Sequence, residues 1–290
     1  MGTRIMTDSA GDLRVEEIRE NQIIELPIVI LVDEEEFYEN DTIQKPEVYD
    51  RVSEGKEVKT AQITLHSFLK EFEEVAKSGD PCIYVSLSSS LSGTYNAACM
   101  AREEVIKKYP NFDLTIFDSK SVSYGQGWMA KRAAQLALEG IAKDEILEVL
   151  EFYRENMRIL FTVGTLEYLY KGGRLSRTSA VLGGILGIAP VLGVEDGQVV
   201  VVAKQRGVKK AWRKMTEIVK VTQSGDLPFC ILGNSGTVED EERFRAFAEK
   251  QLDQKDLDVI LPGAAIGAHT GPGLQAIFYV TKEEPKRSDG

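Results

Sequence analysis

The sequence predicts an α/β fold with two α/β domains, a largely parallel N-terminal sheet and a mixed C-terminal sheet. In the first half, short β-rich runs alternate with helical patterns, as in parallel-sheet proteins. In the second half, Asp196-Gly197 stands between two β-rich runs and predicts an antiparallel hairpin. The chain has 290 residues, of which 43% are hydrophobic, enough for one or two globular domains.

The first half contains a regular succession of elements. Residues 23–32 are expected to form one buried strand, and the acidic stretch 33–41 a solvated turn. Apolar residues at helical spacing from Leu65 to Ala76 indicate an amphipathic helix. The remaining expected elements are strands at 81–85 and 114–117 and helices at 94–109, 128–138 and 146–153.

The pattern changes after about residue 156, and we expect residues 1–157 and 158–281 to form separate domains. A strand at 160–163 precedes a short helix at 166–170 that ends at Gly172-Gly173. The expected elements after the hairpin are helices at 208–222 and 239–252 and strands at 229–232, 259–261 and 276–280. The tail, 282–290, is expected to be disordered.

Charge and composition exclude several classes of protein. The 35 Lys and Arg against 46 Asp and Glu give a net charge of −11, the wrong sign for nucleic-acid binding. Neither a secretory signal nor an uninterrupted transmembrane stretch is evident, so a cytoplasmic location is expected. No phosphate-binding glycine loop for ATP occurs. Three widely separated cysteines predict buried, reduced thiols without zinc spacing: Cys82, Cys99 and Cys230.

The stretch SLSSSLSGTYNAA, residues 86–98, follows a predicted strand and begins a predicted helix. The free amides of a helix N-terminus favour an anion, and the hydroxyls of Ser92 and Thr94 add neutral donors. Helix capping by Ser92 alone is the simpler alternative. Because five serines exceed what one cap needs, an anion site is the favoured interpretation.

A nucleophilic role for Ser92 would require a nearby base, normally histidine. His66 lies on the predicted helix at 65–76, whereas His269 lies in the glycine-rich stretch GAHTGPG, expected to be a tight turn. A hydrolase or acyltransferase using Ser92, His269 and Asp118 is therefore an alternative, although the serine loop is not a G-x-S-x-G elbow. A regulatory module for another small anion is a third hypothesis.

Six motifs occur in an order that resembles the DegV family, the fatty-acid-binding subunits of bacterial fatty acid kinase. They extend the resemblance over about residues 3 to 280. The motifs are TDSAGDL (7–13), KTAQIT (59–64), SLSSSLSGTYNAA (86–98), FDSKSVSYGQG (117–127), KGGRLS (171–176) and GAHTGPG (267–273). The resemblance implies a non-enzymatic protein without a cofactor that holds one long-chain fatty acid, such as palmitate or oleate, between its two domains. A partner kinase would phosphorylate that acid, for phospholipid synthesis.

The resemblance also implies roles for individual residues. Thr60 and Ser92 would hold the carboxylate, with Gly93 and Thr94 in the same loop. His269, Arg174 and Arg206 would lie near the head group and the kinase-facing surface. This chain reads TAQIT where the family usually reads TSQPS, so Ala61 lacks a hydroxyl and Thr64 is expected to cap the following helix.

The apolar, glycine-interrupted stretch after residue 180 is a candidate wall of the acyl tunnel. Ordinary core packing is the alternative for the same residues. The candidates are Val181, Leu182, Ile185, Leu186, Ile188 and Val191.

Overall fold

The computed structural model describes residues 2–176, 188–223 and 230–284, which form three sheets and the helices around them. The strands are β1 (Arg4–Asp8), β2 (Ile24–Leu26), β3 (Val29–Val32), β4 (Glu35–Tyr38), β5 (Val58–Ala61), β6 (Cys82–Ser86), β7 (Leu114–Asp118), β8 (Met157–Thr162), β9 (Ile188–Glu195), β10 (Gln198–Arg206), β11 (Cys230–Asn234), β12 (Val259–Ile260) and β13 (Gln275–Val280). The helices are α1 (Val15–Glu20), α2 (Lys45–Ser53), α3 (Leu65–Ser78), α4 (Thr94–Lys108), α5 (Tyr124–Leu138), α6 (Lys143–Asn156), α7 (Glu167–Lys171), α8 (Val208–Thr222), α9 (Val238–Leu252) and α10 (Ala264–Thr270).

The N-terminal sheet has the strand order β2-β1-β6-β7, and all of its pairs are parallel. This confirms the predicted parallel sheet. The sequence reasoning missed β1, which begins four residues from the chain start and leads into the TDSAGDL motif. Because β1 and β6 lie side by side, their carboxyl ends deliver that motif and the serine loop to the same edge.

The C-terminal sheet has the order β10-β9-β8-β13-β11-β12. It is mixed, because β11 and β12 are parallel while the remaining pairs are antiparallel. The predicted hairpin is confirmed: Glu195 pairs with Gln198, and Asp196 and Gly197 both have positive φ, as a type I′ turn requires.

A third, antiparallel sheet of order β4-β3-β5 was not predicted. The single strand expected at 23–32 is wrong, because the run divides between two sheets: Ile24–Leu26 joins the parallel sheet and Val29–Val32 the small one. Pro27 stands between them, where it has no N–H for either ladder. The solvated turn expected at 33–41 is also wrong, since it contains β4 and the buried Glu39.

The two large sheets and the helices on their faces form five layers, because each sheet is covered by helices on both sides. Helices α3 and α4 cover the outer face of the parallel sheet, α5 and α6 lie between the two sheets, and α8 and α9 cover the mixed sheet. Strand residues alternate between these cores: Ile159 and Phe161 face α5, whereas Leu160 faces α8. The inner core is continuous from the parallel sheet to the mixed one.

Helix boundaries follow local capping chemistry. The Thr64 hydroxyl accepts a hydrogen bond from the Ser67 amide at 3.1 Å, which confirms its expected role as the cap of α3. Helix α5 begins at Tyr124, one turn before the predicted start at 128. Its N-cap, Ser123, has φ 56° and ψ −144°, a strained conformation for a residue with a Cβ.

The C-terminal segment is attached to the first half of the chain. Arg132 donates two hydrogen bonds of 2.8 Å to the Glu284 carboxylate, and the Tyr153 hydroxyl donates a third at 2.7 Å. The disorder expected from residue 282 onward is therefore wrong for 282–284. Residues 285–290 lie outside the described residues.

The cysteine prediction holds only in part. Cys82 is buried in β6, and its burial raises the pKa of the thiol to about 12. Cys99 is partly exposed on α4, contrary to expectation, because that helix turns its alanines toward the sheet. The Cys230 side chain lies outside the described part of the structure.

Residues 2–176, 188–223 and 230–284 contain neither a membrane-spanning helix nor a cluster of metal-binding side chains. No helix in these ranges has both the length and the apolar character needed to cross a bilayer. No cluster of three or more His, Cys, Asp or Glu residues there is arranged to hold a metal ion.

The close approach of Gly11 and Gly127 leads us to predict that a side chain at position 127 destabilises the fold. A methyl group on Gly127 would lie 2.0 Å from the Gly11 carbonyl oxygen, so Gly127→Ala must displace backbone. We expect Gly127→Ala to lower the free energy of unfolding by about 1–3 kcal/mol in urea denaturation. Gly2→Ala is the control, because its methyl would come no closer than 3.7 Å to any atom; equal stability of the two variants would contradict the prediction.

Candidate functional site

A largely apolar pocket lies where the edge of the parallel sheet meets β5, the mixed sheet and α10. It is a concave site, partly open to solvent, of the kind in which small molecules bind. Most of its wall is aliphatic or aromatic. The larger apolar residues lining it include Ile28, Val122, Ile159, Phe161, Leu274 and Phe278.

Four polar residues of the pocket are close to one another. Thr60 Oγ1 lies 2.8 Å from His269 Nε2. Arg174 donates from Nε to the Leu91 carbonyl at 3.0 Å, next to Ser92, and from Nη1 to the Gly172 carbonyl at 2.5 Å. The pocket thus combines apolar walls with one group of hydrogen-bonding side chains.

Each of these residues comes from a different element. Thr60 lies on β5 opposite Ile30, and Ser92 follows β6 in the loop that precedes α4. Arg174 follows α7, and His269 lies in the last turn of α10. The tight turn expected over this glycine-rich stretch is confirmed at Pro272 and Gly273, but it is wrong for His269, which lies in a helix.

The serines of the 86–98 stretch are used mainly to shape their own loop. Ser88 donates to the Gly197 carbonyl at 2.8 Å, and Ser89 donates to Asp118 at 2.6 Å. The Ser92 hydroxyl donates to Thr94 Oγ1 at 3.0 Å. The number of serines therefore has a structural cause and is not by itself a sign of an anion site.

Gly93 and Thr94 lie behind Ser92. Over the described residues, the pocket lining includes Ser92 but neither of these two. Thr94 is fully buried, and its hydroxyl contacts Ser92 and the Ile63 amide. Gly93 is the N-cap of α4, beneath the side chain of Gln62. Thr94 therefore supports Ser92 from inside the protein, whereas Gly93 is partly exposed.

His269 is a neutral imidazole. Burial, together with the nearby Arg174 charge, lowers its pKa from 6.5 to about 4. Nδ1 is buried and has no hydrogen-bond partner among the described residues. It faces Gly172, where an added methyl group would lie 2.2 Å away, so the KGGR motif makes room for the ring.

The two arginines differ in position. Arg174 is half-buried in the pocket wall, and burial lowers the pKa of its guanidinium. Arg206 is the exposed last residue of β10. In the part of the chain that the structure describes, it is not part of the pocket lining.

The acyl-tunnel prediction is wrong for Ile188 and Val191, because neither of them lines the pocket. Val181, Leu182, Ile185 and Leu186 lie outside the described residues. Val191 is buried against Trp212 on the far face of the mixed sheet, and Ile188 is partly exposed at the start of β9.

The apolar wall observed comes instead from β8 and β13. Its strand alternation is visible in the sequence, since Ile159 and Phe161 fall on one face, but sequence alone does not say which face meets a pocket. The sequence reasoning therefore missed these residues as candidates.

The alternative hydrolase arrangement is not formed. Asp118 accepts hydrogen bonds from Ser89 and the Lys120 amide, whereas His269 Nε2 contacts Thr60. Among the described residues, no hydrogen bond links Asp118 to His269 or His269 to Ser92. A serine nucleophile needs both contacts for activation.

Fold and site together define an α/β protein with an apolar pocket that carries one set of polar side chains, Thr60, Ser92, Arg174 and His269. Residues 2–282 match the DegV family, whose model is described as that of an uncharacterised protein. The chain belongs to this family. A DegV domain-containing protein of Clostridium perfringens is 35% identical over 96% of this chain and 98% of its own length. Another, from Caldanaerobacter subterraneus, is 34% identical over the same shares.

Solved structures have the same fold. A DegV family protein from Thermus thermophilus, described by its fatty acid binding, has TM-score 0.87 and 27% identity, covering 97% of this chain and 100% of its own. DegV from Bacillus subtilis, described as a fatty acid binding protein, has TM-score 0.84 and 28% identity with the same coverage.

The lowered pKa of His269 can be tested by following the protonation of its ring with pH. We expect the His269 ring to stay neutral from about pH 8 to about pH 5, with a pKa of about 4, in ¹⁵N-histidine NMR spectra. His66→Gln assigns the signals, because the chain has only 2 histidines. Unfolding raises the pKa toward 6.5, so protonation favours the unfolded chain and His269 contributes a loss of stability as pH falls from about 6.5 to 4. A His269 midpoint near 6.5 would contradict the prediction.

Proposed function

We propose that this protein binds one long-chain fatty acid, with its acyl chain in the apolar pocket and its carboxylate at Thr60, Ser92 and His269. The observation that carries the proposal is a mostly apolar pocket whose lining also includes the bonded pair Thr60–His269 together with Ser92 and Arg174. An amphipathic ligand with one anionic end matches both parts. The fatty acid binding of the Thermus and Bacillus relatives supports it.

The acyl chain supplies most of the affinity. A palmitate-sized tail buries about 14 methylenes at ~0.8 kcal/mol each, or about 11 kcal/mol. Lost translational and conformational freedom offsets several kcal/mol of this. Each charge-assisted hydrogen bond at the carboxylate adds about 1.5–3 kcal/mol and fixes which end of the ligand enters first.

One tautomer of His269 leaves the Thr60 hydroxyl free to donate to a carboxylate. Because the imidazole is neutral, one ring nitrogen carries its proton. With that proton on Nε2, the ring donates to Thr60 Oγ1, and the threonine hydroxyl is left to donate to the ligand. Hydroxyl rotation likewise lets Thr94 donate to Ser92, which frees the Ser92 hydroxyl for the second carboxylate oxygen. Gly93 follows Ser92 directly and is the N-cap of α4.

The chain is further proposed to present its fatty acid to a cytoplasmic fatty acid kinase, which would form the acyl phosphate. Catalysis would then lie in the partner, and this chain would need no cofactor of its own. Arg174 at the pocket wall and Arg206 at the surface offer planar donors for a phosphate. We retain 1–157 and 158–281 as the proposed domains, with the ligand between them.

Extraction of the purified protein tests the ligand directly. We expect mass spectrometry to find a co-purified long-chain fatty acid, or titration with oleate to raise the melting temperature, because the ligand binds only the folded chain. Phosphate and sugar acids should have no comparable effect. An empty protein that oleate fails to stabilise would refute the proposal.

Thr60→Val tests the head-group contact while preserving the shape of the side chain. We expect fatty acid affinity to fall about 10-fold in a fluorescent displacement assay, the equivalent of one lost hydrogen bond to a charge. Ser92→Ala should act in the same direction. Thr115→Val on β7 is the matched control, a strand threonine outside the pocket lining. If Thr60→Val and Ser92→Ala both bind fatty acid with unchanged affinity, these residues do not hold the carboxylate.

Arg206→Ala separates binding from presentation. Because Arg206 is exposed at the end of β10, we expect the variant to bind fatty acid as the parent does and to lose acyl-phosphate formation with the kinase. Arg245→Ala on α9 controls for the loss of one surface charge. If Arg206→Ala fails to bind the fatty acid itself, the assignment of this residue is wrong.

A further inference from the structure

Two buried carboxylates, Asp12 and Glu39, meet at the start of α10 and are outside the pocket lining of the described residues. Each side chain belongs to a residue only 1% exposed. Asp12 ends the TDSAGDL turn, and Glu39 follows β4, so they come from separate parts of the N-terminal half. We call them the carboxylate pair.

Glu39 accepts hydrogen bonds from the first turn of α10. Its Oε1 is bonded by the Ala264 amide and, at 3.3 Å, by the Ala265 amide. Its Oε2 lies 2.8 Å from the Ser9 hydroxyl oxygen, which itself accepts from the Ile28 amide at 2.9 Å. Glu39 therefore connects α10 to the β1 turn and to the small sheet.

Asp12 holds the residue just before α10. Its Oδ1 accepts from the Gly263 amide at 2.5 Å and lies 3.6 Å from Lys45 Nζ. Its Oδ2 accepts from the hydroxyl of Ser123. Ser123 lines the pocket in its strained backbone conformation, so Asp12 links the start of α10 to the pocket wall.

Both carboxylates approach residue 263 so closely that only glycine fits there. An added methyl group would lie 2.3 Å from Glu39 Oε1 and 2.5 Å from Asp12 Oδ1. Its φ of −75° is ordinary, so space and not backbone conformation demands glycine here. The position is shaped by the carboxylate pair.

Helix α10 has only seven residues and cannot set its own direction. Its direction depends on the contacts at its start, where Tyr49 donates to the Pro262 carbonyl at 3.0 Å, and along its side, where Gly267 faces the Tyr49 ring. His269 is five residues after Ala264, about 7.5 Å along the axis. A small tilt at the start therefore moves the imidazole relative to Thr60.

The electrostatics of the pair guide the choice of variants. Burial and the neighbouring Asp12 charge raise the pKa of Glu39 to about 8, against the opposing effects of Ser9, Lys45 and the Ala264 amide. Burial also raises the pKa of Asp12. A glutamine at position 39 therefore resembles the protonated glutamic acid in charge and shape, and it retains an oxygen for the Ala264 amide.

We propose that Asp12 and Glu39 are positioning residues of the head-group site, which hold the start of α10 so that His269 remains within hydrogen-bond distance of Thr60. The consequence for ligand affinity rests on the proposed function. The consequence for the imidazole itself does not, because the Thr60–His269 contact exists without a ligand.

Histidine NMR of the ligand-free full chain tests the proposal. In Glu39→Ala we expect the His269 pKa to rise from about 4 by at least about one unit, because a displaced ring is better hydrated. His66, exposed on α3, supplies an internal reference that should not move. Glu39→Gln should keep the parent titration, and Glu35→Ala on the exposed part of β4 is the matched control.

Oleate affinity gives the second measurement. If only about a tenth of Glu39→Ala molecules hold His269 in place, affinity falls about tenfold, while Glu39→Gln binds as the parent does. A folded Glu39→Ala with unchanged His269 titration and affinity would overturn the proposal. If Glu39→Ala does not fold, Glu39→Asp shortens the reach to Ala264 and must shift the His269 signal; a parent-like spectrum would overturn the proposal equally.

The two proposals fail in distinguishable ways. Absence of oleate binding by the parent protein refutes the proposed function, while the ligand-free titration still decides whether the carboxylate pair positions His269. Oleate binding that is indifferent to Glu39→Ala refutes the positioning role alone.

Discussion

The contact between Thr60 and His269 joins a strand of the small sheet to a helix near the end of the chain, and the site depends on it. Both partners are neutral, so the contact gains little from charge and depends on placement. Burial keeps the imidazole neutral, and the space beside Gly172 accommodates the ring. The contact therefore forms only when β5 and α10 are both correctly placed.

Regular patterns made most of the fold predictable. Alternating strand and helix signals identified the parallel sheet, and Asp196-Gly197 identified the hairpin of the mixed sheet. Thr64 was recognisable as a cap because capping is a local interaction. Thr60, Ser92, Arg174 and His269 could be named through the family resemblance, and the structure brings these four to one pocket.

The rest could not be predicted, because it depends on contacts between distant residues. Glu39 lies among acidic neighbours that suggest solvent, yet its carboxylate is bonded to amides 225 and 226 positions later. The serines of the 86–98 loop suggested an anion, although their partners include Asp118 and a carbonyl in the hairpin. Val191 suggested a tunnel wall, but strand alternation turned it to the opposite face.

The hydrogen bond from Ser88 to the Gly197 carbonyl has a consequence for how such chains can diverge. Hairpin turns commonly accumulate insertions, because they project into solvent. Here the tip of the β9–β10 turn is fastened to the loop that carries Ser92, and a methyl group on Gly197 would lie 2.4 Å from the Ser88 oxygen. An inserted residue would pull on that loop, so a change in the length of this turn would also alter the pocket.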